Sequence, residues 1–363
     1  MAKSVAQTAA DEQVALPPSK RPLRKDLLST GSTLLNLACA DNPFGGLLKG
    51  KYYFLVGDSA SGKTFLSMTC FAEAQLNKHF QGHRIIYDNV EDGCLMDVER
   101  LFGKEVAHKL EFPAKADDGS PVFSFTVEEF YYHLDDALAR GTPFIYVLDS
   151  MDGLSSDYEG EKFEAHKKAH LKGTQSPGSY GDGKAKRNSE GLRQVLNGLR
   201  ETGSILIILS QTRDNLGMGF ERKTRSGGHA LRFYATVEIW SSITGQIKKS
   251  VKGKDRHVGV HVGLRVRKNR ITGKTKEVEI DIYPSYGIDD IGSCVNFLVD
   301  EGWWARKGPC IEAGEFDLRL TRDKLIHQIE DHSWENELRA IVGKCWKDIE
   351  ESSFPHRKLK YPI

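Results

Sequence analysis

The chain has 363 residues, 39% of them apolar, and a formal net charge of +1. This length is enough for one large core, or a core with a satellite domain, and the balanced charge excludes a partner selected by whole-chain charge alone. The six scattered cysteines form no CxxC pair, which favours reduced packing thiols in the cytosol over a zinc site or a disulfide framework. No apolar stretch approaches the roughly 18 residues of a membrane span, so we expect no membrane partner.

The chain divides into three parts. Residues 1–28 mix Ala, Gln, Pro and charge without a sustained period, which predicts a flexible or partner-bound arm. From residue 29 to 304, the apolar runs KYYFLVG, RIIYD, FIYVLD and SILIILSQ alternate with helical patterns near 63–80, 94–102 and 189–202. This alternation is typical of a mainly parallel sheet with helices on both faces, and the fold class is therefore α/β.

Three further features complete this outline. The segments ATVEIWSSI, GVHVGLRVRKN and KEVEIDIYP alternate polar and apolar residues, which predicts an antiparallel extension of the sheet. The segment 155–190 is long, polar and rich in Gly, Ser and Lys, and is predicted to be a mobile or functional loop. Residues 305–363 are predicted to form a small, mainly helical C-terminal portion.

The stretch GDSASGKT matches GxxxxGK[ST] and lies between an apolar strand and a helix, as a phosphate-binding loop requires. We expect its backbone N–H groups to face the phosphates of ATP, Lys63 to reach the β and γ oxygens, and the Thr64 hydroxyl to bind Mg²⁺. The alternative is a glycine-rich turn with no ligand. The predicted nucleotide-binding residues are Gly57, Asp58, Ser59, Ala60, Ser61, Gly62, Lys63 and Thr64.

Acidic and amide side chains follow three of the predicted strands. Asp149 ends FIYVLD and is the candidate partner of the metal. The stretch YDNVEDG offers a carboxylate to orient or deprotonate the attacking water. Glu91 is favoured, while Asp88 in that role and a simple solvated turn stay open. Gln211 follows SILIILS and could sense the γ-phosphate, although a turn or a helix cap explains it equally well.

Basic residues cluster in two segments. Between residues 246 and 276 there are eleven Lys or Arg against one acid, Asp255, a density that attracts phosphate. The alternative is a solvated face. In the segment 212–228, cations surround two apolar side chains between glycines, a mixture suited to neutralising a nucleic-acid backbone and wedging between bases. These residues are Arg213, Met218, Phe220, Arg222, Lys223 and Arg225.

Taken together, these motifs resemble the RecA family of recombinases over residues 28–304. The entry to the core, LSTGSTLLNLACADNPFGGLLKGKYYFLVGDSASGKT, is similar to the family's, and so are SQTRDNLGMGFERKTRSGGHALRFYATVEIW and VGLRVRKNR. The segment IYPSYGIDDIGSCVNFLVDEGWW resembles the end of the core in phage recombinases of the UvsX type. The implied fold is a RecA-type P-loop ATPase core.

The resemblance also implies residue roles. Lys63, Glu91, Gln211, Lys268 and Arg270 would be catalytic, the last two acting on the ATP of a neighbouring subunit, and Thr64 and Asp149 would hold the metal. The segment 155–190 takes the place of the first DNA loop, with Lys184, Lys186 and Arg187 as phosphate contacts. The second DNA loop closes at Gly227 and Gly228. The spacing around Glu91 is shifted from the family's Asp-x-Glu pattern.

The function implied is that of an ATP-dependent recombinase, a DNA-dependent ATPase that forms filaments on single-stranded DNA and pairs it with homologous duplex DNA. Further expected partners are single-strand-binding or mediator proteins, with the N-terminal arm docking a neighbouring subunit. The expected location is the cytoplasm of a bacterial cell, for a protein that a phage could encode. The alternatives are a hexameric DnaB-like helicase and an ATP-switched mediator without significant turnover.

Overall fold

The computed structural model describes residues 22–91, 96–172, 183–214, 223–225 and 228–353. The strands are β1 (Leu27–Leu28), β2 (Leu47–Leu48), β3 (Tyr52–Gly57), β4 (Arg84–Asn89), β5 (Leu110–Glu111), β6 (Ala114–Lys115), β7 (Pro121–Val122), β8 (Phe144–Asp149), β9 (Ile205–Asp214), β10 (Lys223–Arg225), β11 (Val237–Val251), β12 (Lys254–Asn269), β13 (Lys276–Tyr283), β14 (Gly287–Asp289), β15 (Ala305–Lys307), β16 (Cys310–Ala313) and β17 (Leu318–Thr321). The helices are α1 (Thr33–Ala40), α2 (Lys63–Leu76), α3 (Val98–Phe102), α4 (Lys104–Lys109), α5 (Val127–Ala139), α6 (Asp157–Leu171), α7 (Gly183–Thr202), α8 (Gly228–Tyr234), α9 (Asp290–Asp300), α10 (Arg322–Asp331) and α11 (Glu335–Ser353). Short 3₁₀ turns lie at Arg24–Asp26 and Gly314–Phe316.

The central sheet has the strand order β14-β13-β12-β11-β3-β9-β8-β4-β5, with β10 paired to β9. Strands β11, β3, β9, β8, β4 and β5 run parallel, whereas β11, β12, β13 and β14 pair in antiparallel fashion. The predicted α/β class, the parallel sheet and its antiparallel extension are therefore confirmed.

Alternating side chains of the central strands feed two separate cores. In β3, Tyr53 and Leu55 join the cluster on one face of the sheet, while Tyr52, Phe54 and Val56 join the cluster on the other. Because successive side chains of a strand point to opposite faces, a strand that is apolar at every position must be covered on both sides. Helices α1 and α2 contribute to the first core, and α5 and α7 contribute to the second.

The prediction that 155–190 is a loop was wrong for its described part, which contains α6 and the start of α7. Ser156 and Glu159 form a capping box that begins α6. Helix α6 has no buried residue, so its sequence lacks the apolar period by which a helix is recognised. Helix α7 begins six residues before the predicted start at 189. Residues 173–182 lie outside the described part of the chain.

Other predicted boundaries also shift. Helix α2 ends at Leu76 rather than near Phe80, and α3 begins at Val98. Leu27 and Leu28 are buried in a pair with β2, so the folded body begins before residue 29. The C-terminal portion contains helices α10 and α11, as predicted, and also the three-stranded sheet β15-β16-β17, which the sequence analysis did not predict.

Among the described residues, no helix is both long and apolar enough to cross a membrane. The cysteines that the structure describes are free thiols, and four of the five are buried, as their predicted packing role requires; Cys94 lies outside these ranges. Buried thiols with raised pKa values, such as Cys39 at about 12 because of desolvation, are chemically inert.

Helix α7 packs closely on α5 at Gly191. A Cβ added there would lie 2.4 Å from Cγ of Tyr131, in steric clash with the ring of a buried side chain. We expect Gly191→Ala to lower the free energy of unfolding by about 1–3 kcal/mol, because either the ring or the helix must move. Urea denaturation measures this. Gly198→Ala is the control on the same helix: its Cβ would meet the flexible end of Leu138 at 3.0 Å. Equal stability of the two variants would contradict the prediction.

Candidate functional site

The GDSASGKT loop wraps around its own lysine. Lys63 is 8% exposed, and its Nζ donates to the backbone oxygens of Gly57 at 2.9 Å and Asp58 at 2.7 Å. Gly62 has a φ of 82°, which only glycine adopts without strain, and it immediately precedes α2. Burial lowers the pKa of Lys63, against the opposing effect of Asp149 and Glu91. A phosphate oxygen would give this buried amine the anionic partner that suits it, so the loop fits a nucleotide.

Asp149 and Thr64 form the candidate metal site. The Thr64 hydroxyl donates to Oδ2 of Asp149 at 2.7 Å, and the Tyr87 hydroxyl donates to the same oxygen at 2.8 Å. Burial raises the pKa of the Asp149 carboxyl, and these hydrogen bonds partly offset the effect. A hydroxyl and a carboxylate side by side are the oxygen ligands that Mg²⁺ prefers. The contact with Tyr87, which orients the carboxylate, could not be read from the motif.

Glu91 and Gln211 are in direct contact. Nε2 of Gln211 donates to both carboxylate oxygens of Glu91, at 3.1 and 3.3 Å, and the Ser150 hydroxyl donates to Oε1 of Glu91. The backbone N–H of Gln211 donates to Asp152 at 2.7 Å, which holds the end of the strand in place. The structure thus brings together the candidate base and the candidate sensor, at the same sheet edge as Asp149.

Asp88 occupies a different position from Glu91. It is fully buried, and its carboxylate accepts from the N–H of Ser124 at 3.0 Å, from the hydroxyl of Ser124 at 2.6 Å and from the Tyr146 hydroxyl at 2.8 Å. Burial raises its pKa. A carboxylate so enclosed anchors the segment before α5. Asp92, which the YDNVEDG stretch also contains, lies outside the described residues.

Lys268 and Arg270 lie near the amino-terminal end of β3, whereas the phosphate loop follows the carboxyl-terminal end of that strand. We call these two ends opposite edges of the sheet. Val237 pairs with Tyr53 on one side and with Asn269 on the other, so Lys268 and Arg270 stand near the start of β3. Gly57 is four residues farther along this strand, which corresponds to about 13 Å. These cations therefore lie away from the phosphate loop of their own subunit.

Both cations bind the end of α8. Nζ of Lys268 donates to the backbone oxygens of Arg232 at 2.6 Å and Phe233 at 2.7 Å, and Nη2 of Arg270 donates to Phe233 O at 2.8 Å. Cations at a helix C-terminus are stabilised by its unpaired carbonyl groups. Desolvation lowers the pKa of Lys268 to about 8, with a further contribution from Arg270. No sequence pattern predicted this contact.

The basic residues of 246–276 do not form one surface. The exposed tip of the β11–β12 hairpin carries five of them: Lys248, Lys249, Lys252, Lys254 and Arg256. Lys274 and Lys276 instead bind Glu350 of α11, with a Lys274 Nζ to Oε2 distance of 2.8 Å, and Arg267 lies 3.7 Å from the centroid of the Trp240 ring. Neutralised or stacked cations bind phosphate less readily, so the tip is the strongest phosphate-attracting part of this segment.

The candidate DNA contacts of the first segment lie at the start of α7. Nζ of Lys184 is 3.5 Å from Glu159, and Nε of Arg187 is 2.9 Å from the buried Glu128, while Lys186 is exposed. Two of the three predicted phosphate contacts are thus held by carboxylates of the same subunit. These pairs could not be predicted from the sequence, because the partners are 25 and 59 positions away along the chain.

The second candidate DNA segment begins and ends in regular structure. Strand β10 pairs with the end of β9, and Thr224 lies opposite Arg213, between Lys223 and Arg225. The loop is therefore shorter than the expected range 212–228. Gly228, with a φ of 79°, starts α8. Met218, Phe220, Arg222 and Gly227 lie outside the described residues. The hairpin and α8 connect this segment directly to the carbonyl groups that bind Lys268 and Arg270.

Comparison with known proteins identifies the family. A family model for the RecA N-terminal domain matches residues 165–289. Protein RecA of Cytophaga hutchinsonii is 30% identical over 311 residues, which cover 81% of this chain and 76% of that protein. The chain belongs to the RecA family. Protein RecA of Thioalkalivibrio sulfidiphilus is 27% identical over 92% of this chain and 87% of its own length, and that of Thermus thermophilus is 26% identical over 87% and 84%.

Family membership confirms the main functional expectations. The chain is an ATP-dependent DNA recombinase and a DNA-dependent ATPase that uses ATP and Mg²⁺. It forms helical filaments on single-stranded DNA and pairs that DNA with a homologous duplex. The helicase and the non-hydrolysing mediator are not favoured.

Proposed function

We propose that ATP is hydrolysed at the junction of two RecA subunits, with Lys268 and Arg270 of one subunit completing the nucleotide site of the next. One observation carries this proposal: the two cations lie at the sheet edge opposite the phosphate loop, where they cannot reach their own nucleotide. Head-to-tail stacking of identical subunits brings opposite edges together and generates a helical filament. Activity and assembly are then inseparable.

Within one subunit, the proposal gives each residue of the site a role. Lys63 and the loop N–H groups bind the phosphates, and Thr64 with Asp149 holds Mg²⁺, which supplies charge neutralisation to the phosphoryl oxygens when bound. Glu91 orients and deprotonates the attacking water. This role is supported by its exposed position beside Ser150 and Gln211, whereas Asp88 is enclosed.

Gln211 is proposed to couple the nucleotide to the DNA-binding segment. Its amide donates to Glu91 in this structure, and a γ-phosphate oxygen would compete for the same hydrogens. Gln211 lies in β9, which leads into the β10 hairpin and then α8. A shift of Gln211 toward the phosphate would therefore displace the segment 212–228. Arg213, Lys223 and Arg225 of this segment belong to the proposed DNA contacts.

The same coupling has a second route through α8. In the isolated subunit, the trans cations bind carbonyl groups at the end of α8. To contact a neighbour's phosphate they must weaken these bonds, and α8 is then freer to move with the DNA-binding segment. DNA binding and ATP contact would thus favour each other, as reciprocal linkage requires.

The proposal also assigns a role to each part of the chain, a location and further partners. The part of residues 1–28 that precedes β1 docks a neighbouring subunit, the ATPase core takes in β1 together with residues 29–304, and residues 305–363 form a small C-terminal portion. The protein acts in the bacterial cytoplasm with single-strand-binding or mediator partners. The relatives found by comparison are RecA proteins of bacteria, so the phage UvsX type stays a prediction. That prediction rests on the segment IYPSYGIDDIGSCVNFLVDEGWW.

The test is the ATPase rate of the full chain across a protein-concentration series, with and without single-stranded DNA, and with electron micrographs of the same samples. A site shared between subunits predicts DNA-stimulated turnover that rises cooperatively with concentration, alongside open helical filaments. A specific rate independent of concentration would contradict the shared site. Closed rings would favour a helicase, and filaments without turnover would leave ATP as a switch.

A further inference from the structure

A basic pocket lies at the sheet edge opposite the phosphate loop. It is an open cleft with a volume of about 370 Å³, and its lining includes four cations: Lys51 just before β3, Arg193 and Arg200 of α7, and Arg270 just after β12. Tyr234, Asn197 and Thr236 add polar groups to the lining. No acidic side chain belongs to this lining, and among the described residues the four cations form no ion pair.

The two arginines of α7 face the pocket together. They are seven positions apart, which is two helical turns or about 10.5 Å on one face. Nε of Arg193 donates to Ser189 O at 3.1 Å, and Nη2 of Arg200 donates to Oδ1 of Asn197 at 2.6 Å. A guanidinium has five N–H donors, so most donors of both arginines are available to a ligand. These local bonds orient the guanidinium groups without neutralising them.

Close backbone packing holds the pocket together. Gly50 has a φ of 71°, and a Cβ there would lie 3.0 Å from Cα of Arg200, so the chain before β3 presses directly on α7. This contact brings Lys51 beside Arg200, although the two are 149 positions apart in the chain. Like charges gathered without acids repel one another, and an anion bound among them would remove that cost.

We propose that this pocket binds an oligophosphate anion, through its two arginines and Lys51, at a site separate from the phosphate loop. A pocket of this volume is in the range of small-ligand sites, and arginine matches phosphate oxygens with paired hydrogen bonds. The anion is either inorganic polyphosphate or the phosphate tail of a nucleotide. Bound there, it lies beside Arg270 and is expected to slow DNA-stimulated hydrolysis; this consequence, unlike the binding, rests on the proposed trans role of Arg270.

Binding is tested by calorimetric titration of tripolyphosphate, ATP and AMP into full-length Lys63→Ala, in which the phosphate loop is disabled. We expect a tripolyphosphate site whose affinity falls as salt is added. Adding Arg193→Gln and Arg200→Gln should weaken tripolyphosphate binding at least tenfold, because both guanidinium groups are lost. Both residues are exposed and glutamine is a good helix former, so the helix should stay intact. The charge-matched control adds Arg140→Gln and Arg306→Gln, two exposed arginines outside the pocket.

The outcomes separate the two sources and the two proposals. Equal affinity for tripolyphosphate and ATP indicates inorganic polyphosphate, and tighter binding of ATP indicates a nucleotide; both support the pocket. Absence of binding to Lys63→Ala, or equal binding after the two glutamine substitutions, overturns it. Arg270 is unchanged in every variant, so loss of this site would leave the proposed trans role of Arg270 intact. Thermal denaturation of each variant shows whether the fold is retained.

Discussion

An equimolar mixture of Glu91→Gln and Lys268→Ala subunits is expected to recover about a quarter of the wild-type DNA-dependent ATPase rate, although each variant alone is nearly inactive. Each shared site takes Glu91 from one subunit and Lys268 from its neighbour. In randomly mixed filaments, one junction in about four combines an intact Glu91 with an intact Lys268, because subunits stack head to tail. Recovery on this scale follows if the two residues act across the junction.

The size of the loss in each variant comes from the chemistry. Removing a general base typically costs about 10²–10⁴ in rate, and removing one cation that stabilises the transferred phosphoryl group costs about 10²–10³. Lys268 lies far from its own phosphate loop, so Lys268→Ala should still bind ATP as a monomer. The ATPase rate of the mixture is measured against each variant alone at the same total protein concentration.

The matched control mixes Glu91→Gln with Lys63→Ala. Both defects lie in the same subunit's site, so no junction in this mixture regains a complete set, and the rate should stay at the level of the single variants. Recovery in the control, or none in the Glu91 and Lys268 mixture despite mixed filaments in micrographs, would contradict catalysis across the junction.

The second large effect separates two acids that stand three positions apart. Glu91→Gln should lower turnover at least about 100-fold while ATP-dependent filaments still form, because the amide keeps the shape of the side chain but cannot accept a proton. Asp88→Asn should keep turnover within a few fold and lower the free energy of unfolding by about 1 kcal/mol, through poorer hydrogen bonding to Ser124 and Tyr146. ATPase assays and urea denaturation on both variants measure these effects.

The two substitutions control each other, since both replace a carboxylate by an amide. If Asp88→Asn is folded and inactive while Glu91→Gln turns over normally, the roles must be exchanged. If both are active, the water is oriented by another group, and the contact between Glu91 and Gln211 serves only to position the strand ends.

Local chemistry made much of the site predictable from sequence. The GDSASGKT loop, Asp149 and Gln211 each lie at the end of an apolar run that predicts a strand. Parallel strands bring their carboxyl ends to one edge of the sheet. The antiparallel extension was likewise readable from its alternating pattern. The sheet order and the contact between Glu91 and Gln211 could not be read, because they depend on which strands become neighbours.

The failures have different physical causes. Helix α6 was taken for a loop because it buries no side chain, and the sheet β15-β16-β17 was missed because its strands have only three or four residues each. The eleven cations of 246–276 looked like one surface. Folding places five of them at an exposed tip, stacks Arg267 on Trp240 and pairs Lys274 and Lys276 with Glu350 of a distant helix. Lys268 and Arg270 bind the end of α8.

By itself, the sequence determined that this protein is an α/β ATPase with a phosphate loop, a metal-binding acid and cation-rich segments, because each depends on residues close together in the chain. The tertiary structure decided which acid is exposed, and it set Lys268 and Arg270 at the edge opposite the nucleotide. It also brought Lys51, Arg193 and Arg200 around one pocket. Those relations join residues that are far apart in the chain, and only the packing of strands and helices sets the distances between them.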